Sequence, residues 1–215
     1  ERMPSERPVD ALADAGHASP TLRPSASAAL VGTHPVSSNQ EQALLQYMQN
    51  TQGAPWSFSV CFSASGADVL DSCLRRAVVG LGMRHAVLRT TFASDVDGRM
   101  SQLVRPSLDA DEVVTVASAR DAEEAMRLYT EDARRPFDLL GGPVVRWLLI
   151  RIQEGDHTAD TRLVFHAHHI ALDGLSLSML LSELGELYTG AVVDAEVECA
   201  EPMPLQYVDF VRWQL

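Results

Sequence analysis

The sequence predicts an α/β domain with a mixed sheet flanked by helices. Three observations lead there. Trp56 to Ser65 (WSFSVCFSAS) largely alternates apolar and polar residues, the period of a strand. Ala67 to Leu81 then places Val69, Leu70, Cys73, Leu74, Ala77 and Val78 at helical spacing. Asp97-Gly98 lies between two apolar runs, Val87 to Ala93 and Met100 to Val104, and signals a hairpin. Hairpins beside helices make the sheet antiparallel or mixed rather than a series of βαβ crossovers.

The remaining elements follow in order. Residues 1–35 are rich in Ala, Pro and Ser without a sustained period and read as a linker or N-terminal tail. The domain proper runs from 36 to 215. Ser37-Ser38-Asn39 caps a helix from Gln40, with Ala43, Leu44 and Tyr47 on its apolar face. Val113 to Val116 is a short strand and Asp121 to Arg134 an amphipathic helix. Val144 to Ile152 and Arg162 to His169 are apolar strands joined by a polar loop, Gln153 to Asp160. A helix follows from Leu175 to Tyr188, then an acidic stretch, then a final helix within Pro204 to Leu215.

Composition sets limits on function. The chain has 215 residues, 46% of them apolar, enough for one substantial core. No apolar run reaches the roughly 18 residues of a membrane span, and the N-terminal stretch lacks the apolar segment of a secretory signal. The net charge of −12 argues against nucleic acid, whose binding rests on cationic contacts to phosphate. Cys61, Cys73 and Cys199 are widely spaced and odd in number. They read as reduced, buried thiols of a cytoplasmic protein, with Cys61 in the core of a central strand.

The chemistry concentrates in Phe165-His166-Ala167-His168-His169-Ile170-Ala171-Leu172-Asp173-Gly174. Here a strand ends in two histidines and an Asp-Gly precedes a helix. Histidine takes up and returns a proton near neutral pH with little tuning. Alternation puts His166 on the face of His168, opposite His169. Two plainer readings stand beside catalysis. The histidines can be structural, or His166, His168, His169 and Asp173 can ligate a metal. Against the metal, adjacent strand histidines diverge and no helical HExxH pair is present. Arg84 and Arg89 can be surface or ion-paired cations, and Tyr207 and Trp213 can be helix-packing residues.

Five segments in order carry a family resemblance. His168 to Gly174 resembles the HHxxxDG signature of the condensation-domain and chloramphenicol-acetyltransferase-like superfamily. Arg84-His85-Ala86-Val87-Leu88-Arg89-Thr90-Thr91-Phe92 is similar to the RHxxLRTxF segment of nonribosomal peptide synthetase condensation domains. Ser37 to Gln40 lies at the family's Ser-x-x-Gln opening, although the usual Arg-Leu-Trp continuation is replaced by Gln42-Ala43-Leu44. Pro136-Phe137-Asp138-Leu139 with Gly142-Pro143 resembles its PFDL…GP stretch, and Tyr207 to Gln214 its YxDYxxWQ segment.

The resemblance implies one lobe of a chloramphenicol-acetyltransferase-like α/β sandwich. It would be the N-terminal half of a two-lobed domain with a tunnel between the halves, the C-terminal lobe being its missing partner. It implies amide or ester formation between acyl and aminoacyl groups carried on the phosphopantetheine of donor and acceptor carrier proteins, with no directly bound cofactor or metal. His169 would orient the attacking amine or take its proton. His168 would make a structural hydrogen bond, and Asp173 would be tied to Arg84 or Arg89. The backbone near Gly174 would stabilise an oxyanion. Two rivals remain: a non-catalytic lobe that docks a carrier or neighbouring domain, and an epimerisation domain or free-standing acyltransferase of the same superfamily. Epimerisation would need a second acid/base group, usually a Glu from the other lobe.

Overall fold

The computed structural model describes residues 30–49, 56–65, 69–154, 157–193 and 201–215. Two sheets organise them. The smaller has the order β1 (Gly32–Pro35), β4 (Met100–Val104), β3 (Thr90–Ser94), all antiparallel. The larger has the order β2 (Ser57–Ser65), β7 (His157–His168), β6 (Val145–Glu154), β5 (Val114–Ala119). Its pairings are antiparallel except β5 with β6, which are parallel and joined through helix α3 (Ala122–Ala133). The mixed α/β architecture expected from the sequence is therefore present.

The large sheet is covered differently on its two faces. Trp147, Leu149, Phe165 and Ala167 belong to the main core together with α2 (Asp71–Arg84) and α4 (Gly174–Val193). Trp147 and Phe165 pack with ring centroids 4.3 Å apart. Leu148, Ile150, Ile152 and Val164 point the other way, against Ala125, Leu128 and Tyr129 of α3. That alternation is why β6 reads as a nearly continuous apolar run. Helix α1 (Ser38–Gln49) adds Ala43 and Leu44 to the main core, and α5 (Tyr207–Gln214) adds Val208 to a small cluster with Leu30, Ala86 and Val104.

Several expectations need correction. Residues 1–29 lie outside the described part, but 30–35 are not tail: Leu30 is buried and Gly32–Pro35 pairs with β4. No apolar period marks this strand because its inward side chain is His34. That side chain is satisfied by donation to the Leu30 carbonyl at 2.8 Å and by Arg212 at 3.0 Å. Nor are the described residues of Gln153 to Asp160 a loop: β6 runs to Glu154 and β7 starts at His157, paired with a register shift after Ile152. Past the core, Asp160 is held by Arg162 at 2.9 Å and by the Ser63 hydroxyl at 3.2 Å, so a polar sequence still forms a ladder.

Val87–Arg89 belongs to a 3-10 turn, Ala86–Arg89, and the strand begins at Thr90. The helix expected from Ala67 starts at Asp71; residues 67 and 68 lie outside the described part, while Val69 and Leu70 precede the helix. Val113 closes a single helical turn, Ala110–Val113, before β5. Cys61 is exposed, on the edge strand β2 rather than in the core. Cys73 is buried; Cys199 lies outside the described residues.

Candidate active site

A cleft of about 720 Å³ lies at the end of β7. His169 lines it, with Trp56 from the start of β2, Gln40 and Ala43 from α1, Leu172 and Asp173 from the turn before α4, and Tyr207 from α5.

The turn itself fixes His169. Its backbone N–H donates to the Trp56 carbonyl at 2.6 Å, which extends the β2–β7 ladder one step past the Ser57–His168 pair. Its ring packs on Phe58 with centroids 4.8 Å apart. Its Nδ1 lies 3.1 Å from the Leu172 carbonyl. A carbonyl can only accept, so Nδ1 carries the hydrogen, and in the neutral ring Nε2 holds the lone pair that can take a proton.

His168 and His166 occupy the opposite face and are buried. His168 Nδ1 accepts the Ile170 N–H at 3.1 Å, and its ring meets Phe137 edge-on. It holds the turn and does not line the cleft. His166 sits between Ser59 Oγ, 2.6 Å from Nδ1, and Asp132 Oδ2, 2.9 Å from Nε2. With the histidines on opposite faces, no group of three or more His, Cys, Asp or Glu suited to a metal occurs among the described residues.

The expected tie between Asp173 and an arginine is replaced by a helix cap. Asp173 is exposed, and its Oδ1 accepts from the Ser176 N–H at 2.8 Å and the Ser176 hydroxyl at 2.6 Å. The Ser176 hydroxyl first, then its N–H, hold the Asp173 carboxyl below the usual carboxylate range. Arg84 instead meets Glu183 of α4 at 3.1 Å, beside His85, whose Nε2 is 2.6 Å from the same oxygen. Arg89 is buried and donates to the carbonyls of Gly82 and Arg105. Both arginines brace the scaffold of α2 and the small sheet. Gly174 opens α4 and does not line the cleft; a side chain there would meet nothing within 4 Å.

Three lining residues carry more than their sequence pattern announces. Trp56 reads in the sequence only as the start of a strand. Tyr207 reads as packing, yet its hydroxyl bonds Ser37 Oγ at 2.8 Å on the cleft wall. Gln40 forms a reciprocal capping box with Ser37, Oε1 accepting the Ser37 N–H at 3.0 Å and Ser37 Oγ accepting the Gln40 N–H at 3.2 Å. The Ser-x-x-Gln spacing is the signal for that pair. Trp213, also expected to pack, meets the Phe210 ring with centroids 6.0 Å apart while staying 43% exposed.

These features meet the known proteins at one point. The Condensation domain family model matches residues 31–215. The chain belongs to the condensation-domain family. Curated relatives are synthetases: a linear gramicidin synthase of Brevibacillus parabrevis is 41% identical over 135 residues, 61% of this chain and 2% of that protein. The beauvericin nonribosomal cyclodepsipeptide synthetase of Gibberella fujikuroi is 32% identical over 183 residues, 84% of this chain and 6% of that protein. Among solved structures, the X-domain from teicoplanin biosynthesis, in its complex with OxyB, superposes with TM-score 0.75 at 24% identity, covering 91% of this chain and 40% of that one. The starter condensation domain of rhizomide synthetase gives 0.70 at 16%, covering 85% and 43%. This condensation-domain chain thus has the fold of those domains and spans less than half of each.

Proposed function

We propose that this chain is the histidine-bearing N-terminal lobe of a condensation domain that joins a carrier-bound acyl or peptidyl thioester to a carrier-bound amine. The observation that carries the reading is His169. It stands on the wall of the cleft with its Nδ1–H committed to Leu172 and Nε2 left as the base. The amine nitrogen attacks the thioester carbon, the carbon–sulfur bond breaks, and the donor carrier leaves as its thiol. His169 Nε2 takes or guides the amine proton, which finally rests on that sulfur. A thioester is already activated, so positioning and one proton transfer supply the catalysis. Asp173, His168, Arg84 and Arg89 act by shaping the turn and its support.

On this reading the partners are donor and acceptor carrier proteins, with substrates on their phosphopantetheine arms, and a C-terminal lobe that closes the cleft. The location is cytoplasmic. No helix among the described residues is long and apolar enough to cross a membrane. The test is amide formation by the intact synthetase with His169→Ala. Loss of product with carrier loading intact supports the reading, and unchanged product overturns it. A docking lobe is the second reading, suggested by the fold likeness to an X-domain solved in complex with OxyB. It would show as binding of a partner domain without histidine-dependent product.

A further inference from the structure

Trp56 adopts a φ of 69°, the left-handed region, alone among the described non-glycine residues. A bulky aromatic side chain is strained there, and glycine would be the natural occupant. The strain coincides with the site. The Trp56 carbonyl accepts the His169 N–H at 2.6 Å, and the indole, 47% exposed, lines the same cleft. Strand β2 begins at Ser57, paired with His168, and the left-handed residue just before it keeps one more ladder bond. That bond falls on the residue whose Nδ1–H is held by Leu172. Phe58, two positions on, supports the face of the same ring.

Such strain persists only where the surroundings over-determine it, and it clusters at working sites. A turn alone would be met better by glycine, so the indole is what the tryptophan adds. Among the described residues, the cleft lining contains one carboxylate, Asp173, and no lysine or arginine. An indole face in that setting suits an apolar or ammonium-bearing group.

We propose that Trp56 is the positioning residue of His169 and the aromatic wall against which the aminoacyl acceptor packs. The wall rests on the condensation reading above; the positioning does not. Its carbonyl holds the His169 backbone, which keeps the ring in reach of the Leu172 carbonyl that fixes the tautomer, and its side chain contacts the incoming group.

Two substitutions separate the parts. Trp56→Gly keeps access to positive φ and removes the indole; Trp56→Pro, locked near φ −65°, cannot adopt the native backbone that carries the ladder bond to His169. Nitrogen-15 NMR of the His169 ring in this chain reads the tautomer without any activity. The Nδ1–H form is expected in the wild type and in Trp56→Gly, and its loss in Trp56→Pro. Retention of that form in Trp56→Pro, or its loss in Trp56→Gly, overturns the positioning role. In the intact enzyme, Trp56→Gly should raise the acceptor KM about tenfold with kcat within about threefold, and Trp56→Phe should restore it. Trp56→Pro should lower kcat by about 100-fold, as a misplaced catalytic group does. An unchanged acceptor KM in Trp56→Gly overturns the wall. If His169→Ala left turnover intact while the NMR pattern held, the condensation reading would fall and the positioning role would stand.

Discussion

Replacing Asp132 by Asn asks what holds α3 to the back of the large sheet. Asp132 lies in the last turn of that helix and is buried. Arg135 Nη1 reaches it at 2.7 Å, His166 Nε2 at 2.9 Å and Arg146 Nε at 3.9 Å. Burial alone would push the Asp132 carboxyl up. The contacts with His166 and then Arg146 and Arg135 outweigh it and hold the carboxyl below 3.8. Asparagine keeps the shape and removes the charge. A hydrogen bond to a buried charge contributes about 1.5–3 kcal/mol, and breaking one side of a buried pair costs about 3–5 kcal/mol. The lower part of that range applies here. Arg135 is largely solvated, and Arg146 still donates to the carbonyls of Asp132 and Arg135.

The expected loss is therefore about 2–3 kcal/mol at pH 7, read by urea unfolding followed through tryptophan fluorescence. The sign with pH follows from the lowered pKa. The contribution is complete above 3.8 and disappears as pH falls through the lower folded value, so wild type and variant converge in acid. Asp111→Asn is the control: its partner Arg75 is 2.7 Å away, but Asp111 is 89% exposed, so the change should stay within about 0.5 kcal/mol. An Asp132→Asn variant within about 0.5 kcal/mol of wild type at pH 7, or a gap that persists in acid, would refute the reasoning.

Three further outcomes are expected. Asp173→Ala should destabilise the chain by about 1 kcal/mol in thermal or urea melts, because Ser176 loses its capping acceptor. His168→Ala should cost about 1–3 kcal/mol by leaving the buried Ile170 N–H unpaired, whereas His169→Ala should leave unfolding within about 0.5 kcal/mol. Maleimide should label Cys61 in the native chain and reach Cys73 only on unfolding, as mass spectrometry of the two peptides will show.

The sequence is most legible where burial imposes a period. The nearly continuous apolar run from Val145 to Ile150, whose side chains alternate between two cores, and the apolar spacing of α4 follow from facing a core on fixed sides. It is least legible where polar residues do the work of apolar ones. His34 in β1 is buried because two distant groups satisfy it, and Asp160 stays in a strand because its partners are side by side in the ladder. Neither arrangement leaves a local pattern. The site shows the same division. The HHxxxDG segment locates His169, and alternation correctly sets His168 and His166 on the far face. The destination of each arginine is not readable. Glu183, which takes Arg84 and His85, lies 98 residues from the latter, and Asp173 is satisfied three residues away by Ser176. Trp56 is invisible as a site residue because its significance lies in a backbone angle.

The central claim is that His169 acts on the amine as the amide forms. Its most direct test is the single-turnover rate of amide formation in the intact synthetase, with both carriers loaded beforehand so that neither loading nor release enters. The account predicts that His169→Ala slows this step by about 100- to 10,000-fold while carrier binding is unchanged. A rate within about threefold of wild type would contradict it, and would leave His169 as part of the turn that shapes the cleft.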